Sequence, residues 1–230
     1  MKLWTSLLEL IAPRPCLVCR TRLNVQETHI CSTCLKHLPL TDFHLHPQTN
    51  DMALRFAAMP QVARAAALLY FNPHAETANL IYALKYLGQP DVGITLGRMA
   101  ARRMGSSGFF SDADLLVPVP LTASRQRKRG YNQSEMICRG IAQQTGLPID
   151  PHLLRRTNFQ GSQTHMLASE REQNTLKAFK LTDPTRAKGK HIVLVDDIFT
   201  TGSTMKGCCA AFSEASDISL TLLVIGFTRG

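Results

Sequence analysis

The stretch His191 to Thr204, HIVLVDDIFTTGST, decides the fold. Ile192 to Val195 is a short β-branched and apolar run, the pattern of a strand buried on both faces. Asp196 and Asp197 stand where that strand is expected to end. Thr200, Thr201, Gly202, Ser203 and Thr204 form a turn, and a helical pattern opens at Met205. Such a turn holds an anion through its backbone N–H groups and the positive end of the helix dipole. Gly202 permits close backbone approach, and the hydroxyls add donors. Tandem carboxylates repel a phosphate, so their partners are sugar hydroxyls, a metal ion or positive charge developing beside them. An ordinary buried strand with a capped helix after it accounts for the hydroxyls but not for the paired acids. A Walker A loop is excluded, because Gly189-Lys190 precedes the strand and is followed by His191. A receiver-type aspartate site leaves the TTGST turn without a purpose.

The same stretch resembles the 5-phosphoribosyl-1-pyrophosphate (PRPP) binding motif of type I phosphoribosyltransferases, an apolar strand, two acids and a TTG-S/A-T loop. That resemblance implies that Asp196 and Asp197 act at the ribose and that the turn holds its 5′-phosphate.

The 230 residues fit one substantial domain with a small appendage, and 44% hydrophobic against 19% charged residues is a globular balance. The formal net charge of +9 points to a polyanionic partner, either nucleic acid or phosphorylated metabolites. No apolar run reaches the length of a membrane span. In MKLWTSLLELIAP, Glu9 interrupts the apolar residues and no small-residue cleavage site follows, which argues against a signal peptide. Leu3, Trp4, Leu7, Leu8 and Ile11 share one helical face, so an amphipathic helix packed on the chain's own core is expected, in a cytoplasmic protein.

Seven cysteines follow. Cys16-x2-Cys19 and Cys31-x2-Cys34 each wrap two thiolates around one ion, and together they make a tetrahedral four-cysteine site for structural Zn2+. The stretch between them, Arg20 to Ile30, carries little apolar material, so metal would supply folding energy. His29, His37, His44 and His46 are surplus to four sulfurs and read as surface residues. Cys138, Cys208 and Cys209 read as small core residues of helices.

Leu40 to Gln61 reads as an irregular link. Ala65 to Phe71 reads as a strand, and helical patterns follow from Pro73 to Leu87 and from Val92 to Met104. Asp114 to Val119 is the next buried strand, ended by Pro118-Val119-Pro120. SRQRKRGYNQSE then carries Arg125, Arg127, Lys128 and Arg129 almost without interruption. As a loop on the same side of a parallel sheet as the TTGST turn, it would put Arg127 and Arg129 opposite the 5′-phosphate, where a pyrophosphate needs positive charge. Basic charge with Tyr131 also suits single-stranded nucleic acid.

LLVPVPLTASRQRKRGYNQSEMI, LLRRTNFQGSQTHMLASEREQN and VDDIFTTGST, in that order behind a four-cysteine knuckle, resemble the ComF/GntX family of phosphoribosyltransferase-like competence and DNA-utilisation proteins. The resemblance implies an α/β fold, mainly parallel and flanked by helices, over 62–230, with an N-terminal helix and zinc knuckle over 1–45. It implies a pyrophosphate loop at Val119, Pro120 and Leu121, and a mobile loop from Arg155 to Arg171. Its expected ligands are PRPP or a related phosphoribosyl molecule with Mg2+, and its partners single-stranded DNA and DNA-processing proteins. Two functions follow from it: a phosphoribosyltransferase, or a DNA-handling or nucleotide-sensing adaptor that keeps the fold without the chemistry.

Overall fold

The decisive strand forms at the centre of the molecule. In the computed structural model, which describes residues 14–157 and 178–229, β-branched and apolar side chains run through four parallel strands. These are β1 (Val62–Tyr70), β2 (Leu115–Pro118), β5 (His191–Phe199) and β6 (Ser219–Phe227), in the order β1-β6-β5-β2. β5 and β6 are inner strands, and Ile192 to Val195 and Leu220 to Ile225 are fully buried. Because all four run the same way, their C-terminal ends form one edge, where ligands of open α/β sheets bind. β3 (Leu154–Arg156) and β4 (Phe179–Leu181) make a separate antiparallel pair. The fold is therefore the expected mainly parallel α/β arrangement flanked by helices.

β5 extends further than its apolar run implies. Asp196 pairs with Val224, Ile198 with Gly226 and Phe199 with Phe227, so the acids lie inside the ladder rather than after it. The strand on either side of them is paired into the sheet, which fixes the carboxylates more rigidly than a loop could.

Helices α1 (Ser32–Lys36), α2 (Asp51–Leu54), α3 (Ala78–Tyr86), α4 (Pro90–Gly105), α5 (Ala123–Arg129), α6 (Gln133–Thr145) and α7 (Ser203–Ala211), with short 3-10 turns at Phe43–Leu45, Pro184–Arg186 and Phe212–Glu214, complete the described elements. α4 and α6 cross with their backbones in contact. A Cβ at Gly97 would stand 2.1 Å from the Ile137 carbonyl oxygen, and one at Gly140 would stand 2.1 Å from that of Ile94. That crossing clamps α6 against β2 and β5 and aims its first turn at the acid pair.

Four local expectations need correcting. The basic run is helix α5 rather than a loop, because Thr122 caps it by accepting from Arg125 N and Gly130 ends it. The link 40–61 contains α2, whose cap Asn50 also donates from Nδ2 to the carbonyls of Phe43, His46 and Ala65 at 3.1, 2.9 and 2.7 Å. His44 is buried, and His29 is half-buried with Nδ1 3.1 Å from Thr95 Oγ1 of α4. The expected amphipathic face at Leu3 to Ile11, and residues 158–171 of the expected mobile loop, lie outside the described residues.

The cysteine knuckle sits on this domain. Leu17, Val18, Leu23 and Ile30 join the same buried cluster as the sheet. Cys138, Cys208 and Cys209 are buried in α6 and α7 as expected. At the opposite, N-terminal edge of the sheet, His191 Nδ1 lies 3.1 Å from Asp112 Oδ2 and its Nε2 2.7 Å from Thr221 Oγ1. Those spacings imitate a nucleophile triad, but Thr221 is fully buried, so the contacts bind strands together.

Candidate functional site

Three segments converge at the C-terminal edge: the end of β5 with the TTGST turn, the loop after β2, and the first turn of α6. Gly202 adopts φ 79, the left-handed region, where a side chain is strained. A Cβ there would also stand 2.5 Å from Phe199 Cζ, so glycine is demanded by the turn's own packing as well as by close approach. α7, like α3 and α4, has no side-chain cap, whereas α1, α2, α5 and α6 are capped by side chains of Cys31, Asn50, Thr122 and Asn132. Its first-turn N–H groups, with the exposed hydroxyls of Thr200, Thr201 and Ser203 and the half-buried Thr204, are the donors an anion needs. A small pocket here is lined by Asp196, Thr200, Gly202, Ser203 and Thr204.

The acid pair is tied down from several directions. Asp196 Oδ1 accepts from Ser134 Oγ at 3.0 Å and from the Asp197 amide at 2.8 Å. Asp197 Oδ1 pairs with Lys85 Nζ at 2.8 Å, with 12% and 18% of the two side chains exposed. Enclosure and the neighbouring Asp197 push the Asp196 carboxyl up to about 7, against the pull of Lys85 and Ser134. Two carboxylates beside a turn rich in N–H and hydroxyl donors are hard oxygen donors of the kind Mg2+ takes, one or two carboxylates together with phosphate oxygens and waters.

The segment Tyr131 to Ser134 knits the walls of the site together. Tyr131 OH donates to Leu84 O at 2.5 Å, at the end of α3. Asn132 Nδ2 donates to Val119 O at 3.0 Å, holding the loop after β2. Val119 N in turn donates to Val195 O at 2.9 Å, which leaves Pro120 and Leu121 half-exposed at the edge.

Beyond this loop lies a cleft of about 600 Å³ lined by Lys85, Tyr86, Gly88, Arg125, Lys128, Arg129 and Tyr131. Its lining is cationic and aromatic, and the Arg129 guanidinium lies 5.5 Å from the Tyr86 ring centre. Arg127, expected in this wall, is exposed and does not line it; Arg125 and Lys128 do. From β3, Arg156 stacks 5.2 Å over Phe179. Burial and the nearby Arg125 hold its pKa below the usual arginine range, against the pull of Asp196.

Sequence reasoning missed Lys85, Ser134 and Arg156. Lys85 lies in YALKYLG, where it looks like any solvated position of an amphipathic helix. Ser134 follows an N-cap asparagine, and nothing local marks its hydroxyl for β5.

The four knuckle sulfurs form a second centre. Cys16, Cys19, Cys31 and Cys34 place all four Sγ atoms within 4.8 Å of one another. Cys19 and Cys31 Sγ are 3.7 Å apart, close to the roughly 3.8 Å edge of a tetrahedron with Zn–S bonds of about 2.3 Å. Amides of Cys31 and Cys34 point at Cys16 and Cys31 sulfurs at 3.3 and 3.4 Å, as thiolate ligands require. Hydrogen bonding from Thr21 lowers Cys19 to about 6, whereas burial and adjacent sulfurs push Cys34 up. The donor set fits zinc.

No protein-family model matches the chain. It is 30% identical over 207 residues to the DNA utilization protein YhgH of Salmonella typhimurium, covering 85% of this chain and 89% of that protein. It is 26% identical over 198 residues to competence protein F of Haemophilus influenzae, covering 83% and 86%. Over 226 residues it is 26% identical to competence protein ComFC of Bacillus subtilis, covering 91% and 83%. Among solved structures, the glutamine PRPP amidotransferase of B. subtilis complexed with ADP and GMP aligns over 61% of this chain and 30% of that one, with 21% identity and a TM-score of 0.41. With 30% identity carried across most of both chains, this protein belongs to the ComF family of competence and DNA-utilisation proteins.

Proposed function

We propose that the chain binds PRPP or a related phosphoribosyl ligand together with Mg2+, with Zn2+ held by Cys16, Cys19, Cys31 and Cys34. The observation that carries this reading is the convergence of an acid pair, an uncapped helix N-terminus and a cationic cleft on one sheet edge. In it, the TTGST turn and α7 hold the 5′-phosphate, and Asp196 and Asp197 hold the ribose hydroxyls. Val119 to Leu121 with Arg125, Lys128 and Arg129 face the pyrophosphate. If the chain transfers the phosphoribosyl group, pyrophosphate leaves C1 as positive charge develops on the ring, and the acid pair opposes that charge. Mg2+ held by Asp196 and Asp197 would neutralise the leaving pyrophosphate.

The deciding experiment is a thermal-shift titration with PRPP and Mg2+, since a ligand selective for the folded state raises its melting temperature. Asp196→Asn with Asp197→Asn should remove most of the shift. A wild-type protein indifferent to PRPP would sink the reading. Pyrophosphate release in the presence of a panel of bases then separates transferase from binder.

A second reading has its own observation. Tyr86, 68% exposed, and Tyr131 flank the cationic cleft, offering stacking faces beside backbone-neutralising charge, as single-strand binders do. The relatives' names, DNA utilization and competence, favour single-stranded DNA and DNA-processing proteins as partners. Among the described residues no helix is long and apolar enough to cross a membrane. A four-thiolate site suits a reducing compartment, and we place the protein in the cytoplasm.

A further inference from the structure

Lys85 belongs to two sites at once. Its ammonium is 2.8 Å from Asp197 Oδ1, yet the residue also lines the cleft that Arg125, Lys128 and Arg129 fill with positive charge. The backbone beneath it is anchored, because Leu84 O accepts from Tyr131 OH, while the side chain is four flexible methylenes long. In ligand-free protein, repulsion from three cations and attraction to Asp197 both send the ammonium to the acid pair. There it occupies the electrostatic position a divalent cation would need. An anion in the cleft replaces that repulsion with attraction and competes with Asp197 for the ammonium.

We propose that Lys85 is a displaceable counter-ion: its ammonium holds the acid pair closed to divalent cations until a small phosphoryl anion in the adjoining cleft draws it away. The inference rests on the phosphoribosyl reading, and it names the residue that couples the two halves of that site. Anion and metal then bind cooperatively, and by linkage each raises the other's affinity by the same factor. The device has a use. A metal ion bound without its phosphoryl partner, or the reverse, is disfavoured, so the site fills as a unit.

The test uses the full chain and Mn2+, an oxygen-preferring stand-in for Mg2+ read by its own paramagnetic signal. No phosphoribosyl ligand is present, so failure of PRPP binding and failure of this inference are separate results. Wild type should bind Mn2+ weakly in chloride and about tenfold more tightly in sulfate at matched ionic strength, a size typical of site coupling. Lys85→Met should bind Mn2+ as tightly in chloride as wild type does in sulfate, and Lys85→Arg should behave like wild type. Arg125→Ala with Lys128→Ala should abolish the sulfate effect, because the cleft then lacks the charge that holds the anion. The wild-type and cleft-variant measurements decide the matter even if Lys85→Met fails to fold. Equal Mn2+ affinity in chloride and sulfate would overturn the proposal, as would an anion effect that survives in the cleft variant. A rise seen with a short oligothymidylate but not with sulfate or inorganic phosphate would overturn the assignment of the cleft to a small anion.

Discussion

Ser134 Oγ donates to Asp196 Oδ1 at 3.0 Å, so the first turn of α6 orients an acid on β5 that is 62 residues away. That hydrogen bond favours the ionised carboxylate, while enclosure and Asp197 oppose it more strongly and raise Asp196 to about 7. The folded pKa is above the unfolded value near 3.8, so the folded state binds the extra proton between the two.

Stability of the ligand-free protein should therefore carry a contribution that is fully present below the unfolded pKa and is lost as pH rises through about 7. Thermal melts at pH 5 and pH 8 without metal check this. Asp196→Asn, which cannot ionise, should narrow the difference between the two melts. Ser134→Ala should lower the melting temperature above neutral pH, where the carboxylate needs its donor. A difference between the melts that Asp196→Asn leaves untouched would assign the titration elsewhere.

Purified protein should contain about one zinc per chain, the capacity of a single four-cysteine site. Replacing Cys31 and Cys34 with Ser should release it. Because Leu17, Val18, Leu23 and Ile30 pack into the same core as the sheet, the loss should lower the melting temperature of the whole molecule. Metal analysis showing no zinc in protein never exposed to chelator would end this reading.

Much of this site was legible because the chemistry of the PRPP-like motif is local. Acids, turn and helix start lie within HIVLVDDIFTTGST, where strand period and glycine position speak for themselves. The two CxxC pairs were equally plain, since thiolate spacing reflects the size of the ion. What stayed hidden depends on crossings. Lys85 meets Asp197 only because α3 ends beside β5, and Ser134 meets Asp196 only because α4 and α6 clamp together. The basic run was misread as a loop for a different reason. Its charge density resembles solvated chain, but Thr122 and Gly130 supply the cap and stop of a short, solvent-exposed helix.

The α4–α6 crossing should tolerate nothing larger than glycine. Gly97→Ala and Gly140→Ala each push a methyl to 2.1 Å from a backbone oxygen, which no side-chain rotamer can relieve. Each should destabilise by about 1–3 kcal/mol or more, the usual cost of overpacking. Chemical denaturation measures it. Gly97→Ala should also weaken PRPP binding, because the clamp aims Ser134 at Asp196.

Gly202 supports a last test, and a substitution there must be chosen with the turn's own packing in mind. Gly202→Val would deny phosphate its approach, but φ 79 and the Phe199 ring at 2.5 Å mean that it also strains the folded chain. Lost binding in that variant would not separate the two causes. Thr201→Val and Ser203→Ala remove hydroxyls that lie 3.1 Å apart at the exposed rim and leave the left-handed glycine untouched. Both should melt within about 0.5 kcal/mol of wild type, as surface substitutions usually do. If the turn holds the 5′-phosphate, together they should weaken binding of ribose 5-phosphate and of PRPP by the same factor, since each ligand carries that group. The acid-pair variant should discriminate, costing PRPP with Mg2+ far more than inorganic phosphate. Equal losses for inorganic phosphate and PRPP in the acid-pair variant would detach the carboxylates from ribose and metal, leaving an anion site alone.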